Sequence, residues 1–345
     1  MNTNLSMQKT IRYVAFFLIF VAAVSFLVLR GADIRMVGDA LSKASVSYLA
    51  AGLLMAEVFH LSEGINLRTL LRSFGYPVTF WQGMKYAYIG FFFSSVTPSS
   101  TGGQPAQIYA MKRDGIEVGH GTLALIAELA SFEIAVFFME IAAVTAIFLG
   151  KVKPTGEIMT LAVLGFLTNI LFIAGLLMVL FSHRLKERML GLVCGLIWRF
   201  PIKNKTKWQE KSGEMFRDFQ SCADLIRREP KVMGKVLLVS VCQVVCWFSI
   251  PFMVYRAMGE DMAGYPELFL LQTVLYMTTA LLPFPGAAGI SEYAFVRLFA
   301  GVFVKNPIAA ATLVSRGVSF YGLLLISVAM SAILWKRRSV KDSFA

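Results

Sequence analysis

Thr97-Pro-Ser-Ser-Thr-Gly-Gly-Gln-Pro105 interrupts one apolar stretch of the chain, and Pro283-Phe-Pro-Gly-Ala-Ala-Gly-Ile-Ser-Glu292 interrupts another. Tyr86–Val96 leads into the first break and Ala106–Met111 leaves it. Leu268–Leu282 leads into the second and Tyr293–Val304 leaves it. Proline and clustered glycine end helices. Each flanking half is shorter than the roughly 20 residues that a crossing helix needs. Irregular backbone at membrane depth is tolerated only inside protein or along a wet cavity. Both breaks therefore read as the tips of re-entrant helical hairpins.

Outward from the breaks lie longer apolar runs. Thr160–Ser182, Val236–Tyr255 and Gly317–Trp335 are uncharged or nearly so, and Tyr13–Leu29 is almost as long. Val46–Ser62 and Thr122–Leu149 are span-length but carry glutamates. The expected fold is an all-α polytopic membrane protein, with about six transmembrane helices and two oppositely oriented re-entrant hairpins. Composition agrees: 57% of the 345 residues are hydrophobic and the mean hydropathy is +0.66. Lys9 and Arg12 precede Tyr13–Leu29 as in a signal peptide, but the run is long and the following Arg30-Gly-Ala-Asp is a poor cleavage site, so it reads as a retained helix.

Charge gives the orientation. With the N-terminus inside, the inside segments hold 24 Lys/Arg and the outside segments 7. Cytoplasmic loops carry such an excess. Both termini are then cytoplasmic, the first hairpin enters from the cytoplasm and the second from outside, as in an inverted repeat. Thirteen of the basic residues lie in the loop 183–235, so the net charge of +12 reflects topology rather than a nucleic-acid surface. Within that loop Met189–Trp198 reads as an interfacial amphipathic segment. The rest of the chain, 1–345, reads as one transmembrane domain. Cys194, Cys222, Cys242 and Cys246 form no CxxC pair and have no ligand-like spacing to His60, His120 or His183, so neither a metal site nor a cofactor is expected.

Charges at membrane depth are costly and usually functional. Glu57, His60 and Glu63 share one side of a helix, and so do Glu133 and Glu140. Glu128, Glu292, Arg297 and Arg316 join them. Glu63 and Glu140 sit near the ends of their predicted spans, where pairing that pins helices is the expected role. For Glu128, Glu292 and Arg316 a functional role is expected. A glycine-rich break exposes backbone N–H groups at a half-helix start, which suits a phosphate. Nearby carboxylates suit a cationic group.

The residues at both breaks resemble a known family. Thr97-Pro98, Gly102-Gly103-Gln104-Pro105 and then Glu128 are similar to the first signature of the lysylphosphatidylglycerol synthase transmembrane region, also called the flippase-like domain. Pro285-Gly286, Gly289, Glu292 and Arg316 are similar to the second. The resemblance implies a bacterial plasma-membrane protein that translocates phosphatidylglycerol or its aminoacyl derivative. It places Gly102, Gly103, Glu128, Gly286, Glu292 and Arg316 on the lipid path, with Glu133 a further contact and Glu57, His60 and Arg297 secondary candidates. The chain departs from the family pattern at Gln107 and Leu129, where many members carry arginine, and at Gly286-Ala287, where they carry Gly-Gly. These departures bear on the headgroup.

Two other functions are weighed against translocation. Lysyl transfer from lysyl-tRNA belongs, in the family, to a soluble domain after the membrane region. The sequence ends at Ala345, ten residues past Trp335, so that activity is not expected. A non-catalytic subunit beside a separate lipid synthase would carry the same fold, and a homo-oligomer is compatible with it. No GxxxxGK[ST] loop is present for ATP-driven pumping.

Overall fold

The computed structural model describes residues 34–97, 101–181, 229–279 and 289–334. The expected first span Tyr13–Leu29, the break residues Pro98, Pro285 and Gly286, most of the basic loop with Met189–Trp198, and both termini lie outside the described residues.

The described residues are helical, with no strand among them. In chain order they form α1 (Ile34–Lys43), α2 (Val46–Ser73), α3 (Phe80–Val96), α4 (Gly103–Arg113), α5 (Val118–Phe148), α6 (Gly156–Phe181), α7 (Pro230–Phe248), α8 (Ile250–Ala257), α9 (Tyr265–Thr279), α10 (Ile290–Phe299), α11 (Ile308–Arg316) and α12 (Leu323–Leu334). A π-helical turn, Gly317–Gly322, joins α11 to α12. Four helical stretches are long and apolar enough to cross a membrane: Val118–Phe148, Gly156–Met178, Pro230–Ala257 and Ile308–Leu334. The pair α1–α2, bent by 83°, makes a fifth if counted as one span. On α6, Leu164, Leu167, Leu171 and Phe172 are all exposed. A continuous apolar surface of this kind has lipid, not water, as its solvent.

Several boundaries follow from local chemistry. Thr79 caps α3: its hydroxyl accepts from the Gln82 N–H, and the Gln82 side chain accepts from the Thr79 N–H. Pro230 opens α7 at a position where a missing N–H costs nothing. The helix α2 runs well beyond the expected Ser62. Leu67, Leu70 and Leu71 are fully buried against Val78, Tyr86 and Ile89, and Asn66 donates to Ser240 of α7 at 3.0 Å. The segment 64–87, read from sequence as a cytoplasmic stretch, is thus mostly packed helix. Its Lys85 is buried, with Nζ 2.5 Å from Asp114 Oδ2.

The helices α3 and α4 run antiparallel. Going back along α3 from Ser94 through Gly90 to Lys85, the neighbours advance along α4 from Gly103 through Gln107 to Asp114 at its end. A Cβ on Gly90 would run into the Gln107 side chain, and one on Gly103 into Ser94 and the Gly90 carbonyl. Two glycines therefore let the strands of this hairpin touch. At about 1.5 Å per residue α3 is about 25 Å long and α4 about 16 Å. The helices α9 and α10 flank the second break and share a core in which Leu271, Val274, Ala294, Phe295 and Phe299 are buried together.

One polar knot ties distant segments. The Glu260 carboxylate accepts the backbone N–H groups of Lys305 and Asn306 at 2.9 and 3.1 Å, and Asn306 Nδ2 donates to the Met258 carbonyl at 2.7 Å. Beside it the Ser45 N–H donates to the Ala257 carbonyl at 2.7 Å.

Candidate membrane-embedded polar site

The second break ends at Gly289, whose φ of 89° suits glycine. The helix α10 starts there, and Glu292 lies in its first turn. One oxygen of Glu292 accepts the Gly289 N–H at 2.6 Å and the Ser291 hydroxyl at 3.0 Å. The other accepts Arg316 Nε at 2.7 Å. The Arg316 guanidinium also lies over the Phe320 ring, 4.6 Å from its centre. Arg316 stands at the ninth residue of the 27-residue stretch Ile308–Leu334, so at about 1.5 Å per residue it lies about 12 Å in from the start of that stretch. Glu292 is buried, while the Arg316 side chain keeps 15% of its surface exposed.

At the first break, Thr97 follows α3. Its hydroxyl donates to the Phe93 carbonyl at 2.6 Å and accepts the Gly102 N–H at 2.9 Å. This closes the tip of the hairpin. Gly103 is buried at the start of α4, whereas Gln104 is exposed. The buried polar residue of α4 is Gln107, which donates to Glu63 Oε1 at 2.6 Å and to the Tyr86 carbonyl at 3.2 Å. Sequence reading noted Gln107 only as a departure from a pattern. Its burial follows from its position one turn beyond Gly103 on the face that meets Gly90.

Between the breaks, α5 carries Glu128, Glu133 and Glu140. Glu128 is buried and lies near enough to Glu63 and Glu133 to feel their charge. Glu140, expected at an exposed end, is 1% exposed; it accepts Asn169 Nδ2 at 2.9 Å. Glu57 accepts the Tyr88 hydroxyl at 2.8 Å, and Tyr88 stacks on buried His60, 4.8 Å between ring centres. His60 Nε2 is 3.2 Å from the Ser327 hydroxyl. Arg297 is exposed and rests on the Tyr293 ring, away from these contacts. Thus Glu292 meets Arg316, Glu63 meets α4, and the α5 carboxyls form a row. Lys85, Tyr86, Asp114 and Asn169 were not singled out from sequence. The Tyr86 hydroxyl donates to Asp114 at 2.7 Å and, with Lys85, closes the base of the first hairpin.

The family model described as the lysylphosphatidylglycerol synthase TM region matches residues 13–327. The chain belongs to this family. Its relatives include a UPF0104 membrane protein of Archaeoglobus fulgidus, 21% identical over 331 residues, which are 93% of this chain and 97% of that protein. Another, a UPF0104 membrane protein of Methanothermobacter thermautotrophicus, is 25% identical over 146 residues, 41% of this chain and 42% of that protein. As a member of the lysylphosphatidylglycerol synthase TM-region family the protein is a multi-pass membrane protein. The matched stretch takes in both breaks, the α5 carboxyls and Arg316.

Proposed function

We propose that this protein is a lipid translocase. It carries a phospholipid with an anionic phosphate, phosphatidylglycerol or its aminoacyl derivative, between leaflets along the two broken helical segments. The observation that supports the reading most directly is the Glu292–Arg316 pair, a third of the way along a candidate span and at the start of the helix that follows the second break. A guanidinium at that depth is expensive and is retained where it serves a path for polar groups. The helix α4, which starts at Gly103, adds the positive end of its dipole beside the first break, where phosphate is welcome. The α5 carboxyls suit an aminoacyl ammonium. In this reading 1–345 is one domain of a bacterial plasma membrane, 183–235 is cytoplasmic together with both termini, and a separate lipid synthase supplies the substrate.

The test is fluorescent phosphatidylglycerol movement in proteoliposomes, followed by dithionite bleaching of the outer leaflet. Bleaching beyond the outer-leaflet fraction is expected with the wild-type protein, with loss on Arg316→Met. Bleaching that stops at the outer leaflet for both phosphatidylglycerol and its lysyl ester would sink the reading. Lysyl transfer from lysyl-tRNA to phosphatidylglycerol by the purified chain would replace it with an enzymatic one.

A further inference from the structure

The carboxyls along α5 are on the proposed lipid path, yet their chemistry points to a different passenger. The most informative of them is Glu140. Its Oε2 accepts Asn169 Nδ2, but its Oε1 is buried with no partner, and so is Asn169 Oδ1. Asn169 is itself 7% exposed. An ionised carboxylate brings only acceptors, so these two orphaned oxygens cannot satisfy one another. Burying even one such group without a partner is costly. A single proton on Glu140 resolves both: the acid O–H donates to the amide oxygen while the amide N–H donates to the acid carbonyl.

The neighbours do not provide a cation instead. The helices packed on α5 are α2, α4, α6, α7 and α9. From α2 come Glu57, His60 and Glu63, with His60 bonded to Ser327 and Glu63 to Gln107; its Arg68 donates to the Val78 carbonyl and its Arg72 lies in the last turn. The only Lys and Arg of α4, Lys112 and Arg113, are in its last turn. The titratable group of α6, Glu157, accepts from Tyr293. The helix α7 has Lys231 and Lys235 in its first two turns and Cys242 and Cys246 further along. From α9, Tyr276 lies near both Glu133 and Glu140, while Tyr265 bonds Ser249 and Glu267 is in the first turn. Among the described residues no Lys or Arg pairs with Glu63, Glu128, Glu133 or Glu140. Nor do any three His, Cys, Asp or Glu side chains among them converge as ligands for one metal ion.

We propose that Glu140, Glu133, Glu128 and Glu63 form a proton path, with Glu140 loaded as a neutral acid against Asn169 and Glu63, the carboxylate that Gln107 holds, releasing the proton to water beside the first hairpin. Each step moves one proton from a protonated carboxyl to an ionised neighbour, directly or through water or Tyr276, so one positive charge crosses per cycle. Protonating Glu63 weakens its bond to Gln107, which links proton movement to the hairpin tip. The proposal rests on the translocase reading for its purpose but not for its test.

Proton entry into proteoliposomes is followed with an enclosed pH dye under an imposed potential, alongside the lipid bleaching assay on the same vesicles. Wild-type protein is expected to admit protons, with a fall of about a hundredfold in Glu128→Gln and in Glu140→Gln, the lower end for losing a positioned proton-transfer group. Gel filtration verifies that the variants are folded. Infrared difference spectra give a second readout: the carbonyl band of a protonated acid is expected in wild type at neutral pH and is lost in Glu140→Gln. Lipid movement without proton entry, or proton entry unchanged in folded Glu128→Gln and Glu140→Gln, overturns the proton path and leaves the translocase standing. Proton entry without lipid movement supports the path and overturns the translocase. An infrared band that is absent in wild type overturns the role of Glu140 even if the variants fail to fold.

Discussion

Three donors meet on the Glu292 side chain: a backbone N–H, a hydroxyl and a guanidinium. Removing one member of a buried ion pair leaves the other charge uncompensated, at a cost of about 3–5 kcal/mol. Glu292→Ala is therefore expected to lower the melting temperature in detergent sharply. Glu292→Gln keeps an oxygen for the Gly289 N–H and should lose less. The double variant Glu292→Ala with Arg316→Met should recover part of the loss, since no charge stays buried. A double-variant cycle in thermal unfolding checks this, and additivity of the two single losses would deny the pairing. Both charges are plain in the sequence, and a charge at membrane depth needs a partner. Asn169 was not legible there, because an amide in an apolar run carries no charge signal and only the fold brings it to Glu140, 29 residues away in sequence.

At the scale of elements, the first hairpin is held by close backbone contact at one end and by Lys85, Tyr86 and Asp114 at the other. A Cβ built on Gly103 meets the Gly90 carbonyl at 2.8 Å, so Gly103→Ala forces α3 and α4 apart and is expected to lower the melting temperature in detergent. A Gly103→Ala protein as stable as wild type would mean that α3 and α4 do not touch as described. Breaks announce themselves through proline and glycine, so the antiparallel pair α3 and α4 was legible. The length of α2 was not. Glu63, Arg68 and Arg72 look like the end of a span, but Leu67, Leu70 and Leu71 continue the buried face past them, and tertiary packing overrides the charge signal. The burial of Lys85 was equally hidden, because its partner Asp114 lies in the next element.

For the whole molecule, orientation is carried by the basic residues. A cysteine introduced in 203–212 should react with a membrane-impermeant maleimide only after the membrane is opened; labelling in intact cells would reverse the topology. At one end of the helices Glu260 serves several donors at once. Glu260→Ala leaves the backbone N–H groups of Lys305 and Asn306 without this acceptor, each costing about 1–3 kcal/mol where water cannot reach. The expected result is lower thermal stability, while Glu260→Gln, which keeps one oxygen, falls less. That knot has a mechanical meaning. The chain just after Ala257, the lead-in to α11 and the start of α2 are fastened together there, so these helices cannot separate at that end. Like the arms of a clothes peg, they can gape only away from the spring, and the gape widens with distance from it.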